Sequence, residues 1–359
     1  MSASPTGMLR ASSRRPRLGR AGFAGAAIIL FMLLACLATL PYTLGREKFD
    51  APTQGLAPRR FEAQHLDEAR LPPIWMPHRA DERHQLESAT DQRSTTPWHL
   101  LGTDRHGRDL LIRCLAGGGI SLSIGLAASL LAVLIGTLWG TIAGYAGGRI
   151  DSMMMRLVDI FYGLPYIMLV VLLAVAVDGL IERTKTDLAP GTKQIISIIT
   201  LLIAIGSVSW LTMARVIRGQ VLSLKSQPFI ESARAIGVPL SRLFLRHLLP
   251  NLTGPIVVYA TLTVPTAILS ESFLSFLGIG VREPLPSWGN LAADGLSELN
   301  LVRVRWWLLL WPCLFIATTL LALNVLGEAL RDALDPRRRK PAAAAEARAA
   351  SPQASDSDR

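Results

Sequence analysis

The sequence predicts an all-α membrane protein, a bundle of about six transmembrane helices. Three observations carry this prediction. Of 359 residues, 50% are hydrophobic and only 18% are charged, less charge than a soluble domain of this length carries. Mean hydropathy is +0.36. The apolar residues also fall in long runs separated by charged loops, and each run is long enough to cross the hydrocarbon core.

Residues 1–20 are polar and basic, with Arg10, Arg14, Arg15, Arg17 and Arg20. The apolar run 21–44 follows. It is longer than the hydrophobic region of a usual signal peptide, so it reads as an uncleaved first span. Residues 45–116 form a predicted extracytoplasmic loop, whose 45–100 stretch is charged and proline-rich with no apolar periodicity. Five more apolar stretches lie near 118–146, 158–180, 195–216, 252–280 and 306–330, giving a core of five helices over 117–331. The 332–359 tail is basic and then alanine-rich, a composition expected to stay disordered.

Six spans put both termini on one side. The basic N-terminus, the loop with Arg149 and Arg156, the 215–246 segment and the stretch from Arg331 to Lys340 then share that side. By the positive-inside rule it is the cytoplasm. Arg303 and Arg305 fall on the other side and are outnumbered. The net charge of +10 is thus mostly topological, and no nucleic-acid partner is expected.

Prolines 165, 265 and 312 fall inside predicted spans, where each removes a backbone donor and kinks its helix. In the second span Gly125, Ser129, Ala132, Gly136, Gly140 and Gly144 recur three or four residues apart. Such a seam lets another helix approach closely, within the bundle or from a second subunit.

The most informative loop is 227–251, between the fourth and fifth spans. Pro228 suits the first turn of a short helix, and Glu231 near its start complements the positive helix end. Gly237 is a natural helix stop, Pro239 restarts a second helix, and Pro250 is expected to end it. Ala233 and Ala235 are small enough for close contact. The shape fits a knob on which a partner docks, and equally an amphipathic hairpin lying on the membrane surface.

The run Glu231-Ser232-Ala233, then Gly237, then Leu249-Pro250 resembles the EAA loop of permeases from binding-protein-dependent ABC importers. Ser232 stands where the family usually has Ala, His247 where it has an aliphatic residue, and Val238-Pro239 replaces a small polar pair. Ala233-Arg234-Ala235-Ile236-Gly237 and Arg246-His247-Leu248-Leu249-Pro250-Asn251 look like the peptide and nickel branch. Further blocks match in order. Leu101-Gly102-Thr103-Asp104 with Gly107-Arg108-Asp109 resembles the approach to span two in C-type subunits of oligopeptide and dipeptide importers. Ala143-Gly144-Tyr145, Met155-Arg156-Leu157-Val158-Asp159, Leu274 to Gly280, Pro286 to Asn290 and Leu330 to Pro336 continue the match. The 45–96 insertion is not typical in length.

The resemblance implies the type I ABC importer permease bundle in a bacterial inner membrane, with both termini cytoplasmic. It implies four kinds of partner: a homologous permease, two ABC ATPase subunits, an extracytoplasmic solute-binding protein and membrane lipid. It also implies that Glu231, Ser232, Ala233, Arg234, Ala235, Gly237, Arg246, Leu249 and Pro250 form the ATPase-coupling loop. Peptides are the implied solute, with nickel or peptide-like antibiotics as alternatives.

The chain has no G-x-x-x-x-G-K-[ST] phosphate loop, so it binds no cofactor directly and ATP belongs to partner subunits. It is therefore expected to be a non-catalytic subunit. Its six histidines are scattered without metal-ligand spacing. Cys36, Cys114 and Cys313 read as small buried apolar residues. Asp159, near Arg156, and Glu271 read as interfacial acids at the inner and outer ends, the alternative being that they line a pathway. Glu328 and Arg331 stand at pairing distance along a helix. A secondary transporter would instead show inverted repeats with broken helices or paired buried charges, which the sequence does not display.

Overall fold

A computed structural model of the chain describes residues 19–46, 58–93, 98–183, 190–299 and 303–334. Residues 335–359 of the predicted tail and much of the basic N-terminus lie outside the described residues, while 332–334 are helical. Five helices are long and apolar enough to cross a membrane, or six if one bent pair counts as a span. They are α1 (Arg20–Thr43), α3 (Leu110–Ala146), α6 (Pro190–Lys225), α9 (Leu249–Phe276) and α11 (Trp306–Leu334), and the bent pair is α4 (Gly148–Tyr162) with α5 (Tyr166–Arg183). Shorter helices are α2 (Ala80–Arg93), α7 (Pro228–Ala235), α8 (Leu240–Leu243) and α10 (Trp288–Ser297).

The predicted third span near 158–180 is corrected. Its two halves meet at 88°, and Pro165 lies in the break rather than inside a helix. Proline disfavours a helical conformation at Leu164 before it, while its own carbonyl accepts the amide of Leu169 at 3.0 Å and so opens α5. Pro265 and Pro312 do lie inside helices, and so do Pro41 and Pro255.

The second span starts at Leu110, earlier than the apolar run suggests. The Asp109 carboxylate caps it by accepting the amide of Ile112 at 3.0 Å. Charged Arg113 interrupts the apolar run just inside the helix and hides its start.

The small-residue seam is internal to this chain. Helices α3 and α6 form the largest helix pair. A Cβ on Gly136 would stand 2.6 Å from the Met213 Cβ, and one on Gly140 would stand 2.4 Å from the Ala214 carbonyl oxygen. A Cβ on Gly144 would stand 2.9 Å from the Arg218 carbonyl. Trp139 and Trp210 pack edge to face across the same pair at 5.1 Å. Gly125 and Ser129 face α9, where Ser129 donates to the Ala260 carbonyl at 3.4 Å.

The described part of the insertion folds onto one end of the bundle, although it lacks apolar periodicity. Phe61, Ala63 and Leu71 are buried. The Leu71 amide donates to the Thr103 hydroxyl at 2.8 Å, and that hydroxyl donates to the Glu68 carbonyl at 2.5 Å. Arg70 forms a two-pronged pair with Glu298 at 2.9 and 3.0 Å, and Arg303 reaches Asp81 of α2 at 2.7 Å. These contacts give Arg303 and Arg305 local partners, since Arg305 also bonds Glu298 at 3.1 Å. Beneath them, buried Arg108 and Arg113 both pair with Asp104. Burial opposes ionisation of Asp104, yet the two guanidinium groups hold its carboxyl below the ordinary value.

His99 bridges the insertion to the start of α3, with ring nitrogens 3.1 Å from Glu68 and 2.9 Å from Asp109. Burial pulls its pKa down. The hydrogen bonds and charges of the two carboxylates outweigh burial and raise it to about 9.

Three smaller expectations change. Glu271, five residues before the end of α9, is fully buried in the protein, ringed by Ser275, Ser121, Ser287 and Ser272. Cys36 and Cys114 are buried, but Cys313 is exposed on α11. Both Glu328 and Arg331 are exposed, and no ion pair joins them.

Two predictions follow from this packing. Gly140→Ala should lower thermal stability in detergent by about 1–3 kcal/mol, because backbone must move. Gly119→Ala, with nothing within 4 Å of its added carbon, should leave stability unchanged or raised by up to ~1 kcal/mol. Equal effects would contradict the close α3–α6 approach.

The His99 bridge should be fully present below the ordinary histidine value of 6.5 and fade as pH rises through about 9. Limited proteolysis of the 58–93 segment should therefore accelerate at alkaline pH, and His99→Gln should remove that pH dependence.

Candidate functional site

The 227–251 loop forms the opposite end of the bundle from the folded insertion. Helix α6 runs to Lys225, Gln227 adopts an extended conformation, and Pro228 starts α7. The Lys225 ammonium donates to the Tyr145 carbonyl at 2.7 Å, which ties the end of α6 to the end of α3.

One face of α7 is an anchor. Ile230 and Ala233 are buried in a cluster with Met213, Ile217, Val221, Leu243, Leu248 and Leu252. The other face is open: Glu231, Ser232, Arg234 and Ala235 are all exposed. Ser232 donates to the Pro228 carbonyl at 2.8 Å, so its hydroxyl is spent on the helix and it serves as a small residue.

The helix ends at Gly237 as predicted. Gly237 has φ +79°, its amide donates to the Arg234 carbonyl at 3.0 Å, and the Val238 amide donates to the Ala233 carbonyl at 3.1 Å. This pair of bonds is a Schellman stop, and its left-handed residue favours glycine. Val238 packs against the buried cluster, and the Pro239 carbonyl accepts the Leu243 amide to open α8. The Val238-Pro239 departure therefore fits the turn.

Pro250 does not end the second helix. Helical hydrogen bonding runs from α8 through a π turn (Phe244–Leu248) directly into α9, and Pro250 sits in the first turn of α9. The wide turn accommodates the missing proline donor. The second arm of the hairpin is thus the beginning of a long span, Ser241–Phe276. Arg246 and Pro250 are exposed on this arm, and Leu249 is partly buried.

Sequence reasoning missed the residue that stands out most. Ile236, immediately before the glycine, is 82% exposed. Phe229 and Leu245 are also exposed nearby in the chain. Their exposure depends on which face of each short helix meets the cluster, and eight residues of α7 were too few for periodicity to decide that.

Two charge pairs join α4 to α6 above the loop. Arg218 grips Asp151 with two bonds of 2.5 and 2.7 Å. Arg215 bonds Asp159 at 2.7 Å, and its guanidinium lies 3.9 Å over the Tyr162 ring. Asp159 is therefore the partner of Arg215, not of Arg156. Among the described residues, no group of His, Cys, Asp and Glu could hold a metal ion.

The chain is similar to several known proteins. The family described as "Binding-protein-dependent transport system inner membrane component" matches residues 136–340. The oligopeptide transport system permease protein OppC of Escherichia coli K12 is 49% identical over 254 residues, 71% of this chain and 76% of that protein. The dipeptide transport system permease protein DppC of Bacillus subtilis is 38% identical over 327 residues, 91% of this chain and 85% of that protein. A solved inward-facing MetNI methionine ABC transporter gives a TM-score of 0.49 at 15% identity, over 63% of this chain and 98% of that one. With one family covering more than half of its length and relatives this similar, the chain belongs to the inner membrane components of binding-protein-dependent transport systems: it is a multi-pass, non-catalytic permease subunit of an ABC importer, whose ATP is hydrolysed on separate subunits.

Proposed function

We propose that this permease serves peptide import and that α7 with its Gly237 turn is the seat of an ATPase subunit. Relatives named for oligopeptide and dipeptide transport support the solute class, at 49% and 38% identity. The exposed tip carries the docking reading. An 82% exposed isoleucine at the apex of a rigid, internally anchored turn is what a partner pocket buries. Ile230 and Ala233 anchor the hairpin to the bundle, and exposed Phe229, Ile236 and Leu245 leave it an apolar outer surface for a partner to cover.

In this reading the loop end faces the cytoplasm, as its basic residues favour, and both termini lie on that side. A complete importer pairs this chain with a homologous permease, two ATPases and an extracytoplasmic binding protein. Closure of the ATPases pulls the two α7 levers together, and Gly237, Ala233 and Ala235 let the lever seat closely. Glu231 and Arg234 set the charge of its exposed face, while Ser232 keeps it narrow. Leu249, Pro250 and Arg246 lie where the second arm enters span α9.

Uptake tests this directly. Glu231→Lys and Gly237→Pro should reduce peptide uptake to background while the protein remains in the membrane at normal level. Ile236→Asp should weaken co-purification with the ATPase by an amount equivalent to about 2 kcal/mol or more. Normal uptake and normal co-purification in these variants would refute the lever.

A further inference from the structure

The described part of the insertion meets the bundle where two spans end. Arg60 lies 3.9 Å over the ring of Tyr42, in the last turn of α1. Trp75 packs against Trp306, the first residue of α11, with ring centres 6.4 Å apart. Helices α1 and α11 are both long and apolar enough to cross a membrane. Their ends therefore stand at the boundary between hydrocarbon and headgroups, and residues packed on those ends stand at the same depth.

At that depth the insertion is apolar on its outside. Trp98 is 75% exposed and Trp75 57%, and Ile74, Leu100 and Val304 are exposed as well. Two stretches of chain are pinned side by side: the Ile74 amide donates to the His99 carbonyl at 3.0 Å, and the Trp75 indole donates to the Leu100 carbonyl at 2.9 Å. Along 98–100 the side chains alternate. His99 turns inward to Glu68 and Asp109, while Trp98 and Leu100 remain open. An exposed apolar patch marks an interaction surface, and tryptophan is enriched where one edge of a ring meets hydrocarbon and the other meets water.

A cavity of about 220 Å³ lies where the insertion meets the start of α11. Arg79, Glu82, Arg303 and Arg305 line it together with Trp306 and Trp307. It is smaller than the roughly 300–1,000 Å³ of drug-sized sites and suits a headgroup. Arg303 pairs with Asp81, and Arg305 shares Glu298 with Arg70. Counting those partners, four guanidinium groups meet three carboxylates (Asp81, Glu82 and Glu298), an excess of one positive charge. The excess sits on Arg79. Among the described residues its guanidinium has no carboxylate partner, and its backbone amide donates to Glu82 at 2.8 Å.

We propose that this corner of the insertion seats an anionic phospholipid of the leaflet at the end of the bundle away from α7. The lipid phosphate enters the cavity toward Arg79, whose planar fork matches phosphate oxygens. The glycerol and the upper acyl chain lie against Trp75, Trp98 and Leu100. A soluble partner would meet a surface standing clear of the headgroups, whereas this one is fastened to span ends at their depth. The seat is independent of which solute is carried.

The experiment reads lipid at the two tryptophans. The complete importer is reconstituted in bilayer discs of phosphatidylcholine and phosphatidylglycerol. The emission removed by Trp75→Phe with Trp98→Phe is isolated by difference from the unsubstituted importer, and Trp98→Phe alone serves if the double variant does not assemble. Phospholipid brominated near the headgroup should quench that emission about twofold or more, and lipid brominated at the chain ends should quench it less. At equal mole fraction, brominated phosphatidylglycerol should quench more strongly than brominated phosphatidylcholine, and Arg79→Gln should lower that preference about fivefold. Emission that brominated lipid leaves unchanged, or a preference that Arg79→Gln does not alter, overturns the inference. Emission that lipid does not reach but that the purified binding protein shifts gives the patch to that protein and overturns it too.

Discussion

The bundle depends on how closely α3 and α6 approach. Lipid tails are as apolar as leucine, so apolar contact alone does not drive helices together inside a membrane. Close packing and satisfied backbone have to do it. Gly136, Gly140 and Gly144 remove the side chains that would hold the two axes apart, and α6 backbone fills the space. Around that pair the other elements find their places: α9 against Gly125, and α4 bridged to α6 by Arg218 and Asp151. The tie from Lys225 to Tyr145 then fixes where α6 ends and α7 begins.

This makes α6 the common member of three regions. Its middle lines, with Ser209 and Thr212, a cavity of about 510 Å³ that the broken span and α9 also border, its next turns carry Arg215 and Arg218, and its end leads into α7. A packed helix moves as a body and deforms little. On the proposed reading, displacement of α7 therefore reaches the cavity wall without a chain of side-chain relays. The Arg215–Asp159 contact is the joint where that displacement meets the broken span. It is a half-exposed pair, worth little as a stabiliser, and so is easily remade during a cycle.

Much of this was legible in the residues. Long apolar runs locate membrane helices because backbone polar groups have no other solution in lipid, and four of the five later spans were placed by that logic alone. Pro228 and Gly237 were legible because each has one dominant backbone consequence. What failed had competing causes. Pro165 breaks its span while Pro265 and Pro312 do not, and local sequence does not say which kink neighbours will absorb. Pro250 looked like a stop, yet a π turn before it lets the helix continue. Asp159 had Arg156 close in sequence, but a helix in space brought Arg215 closer.

The insertion shows the same limit from the other side. Its residues carry no apolar period, because its order comes from pairing with the bundle rather than from a face of its own. Thr103 is shared between Leu71 and Glu68, Arg70 depends on Glu298, and His99 needs both Glu68 and Asp109. Apart from His99 and Asp109, ten residues apart, each bond has its second partner more than thirty residues along the chain, beyond the reach of a local window. The same carboxylate, Asp109, both caps α3 and holds His99. The end of the bundle away from α7 thus adds ionic and polar bonds to its apolar cluster of Leu110, Cys114, Leu291, Trp307 and Leu308, while the α7 end combines an apolar cluster, the Lys225 tie and an exposed tip.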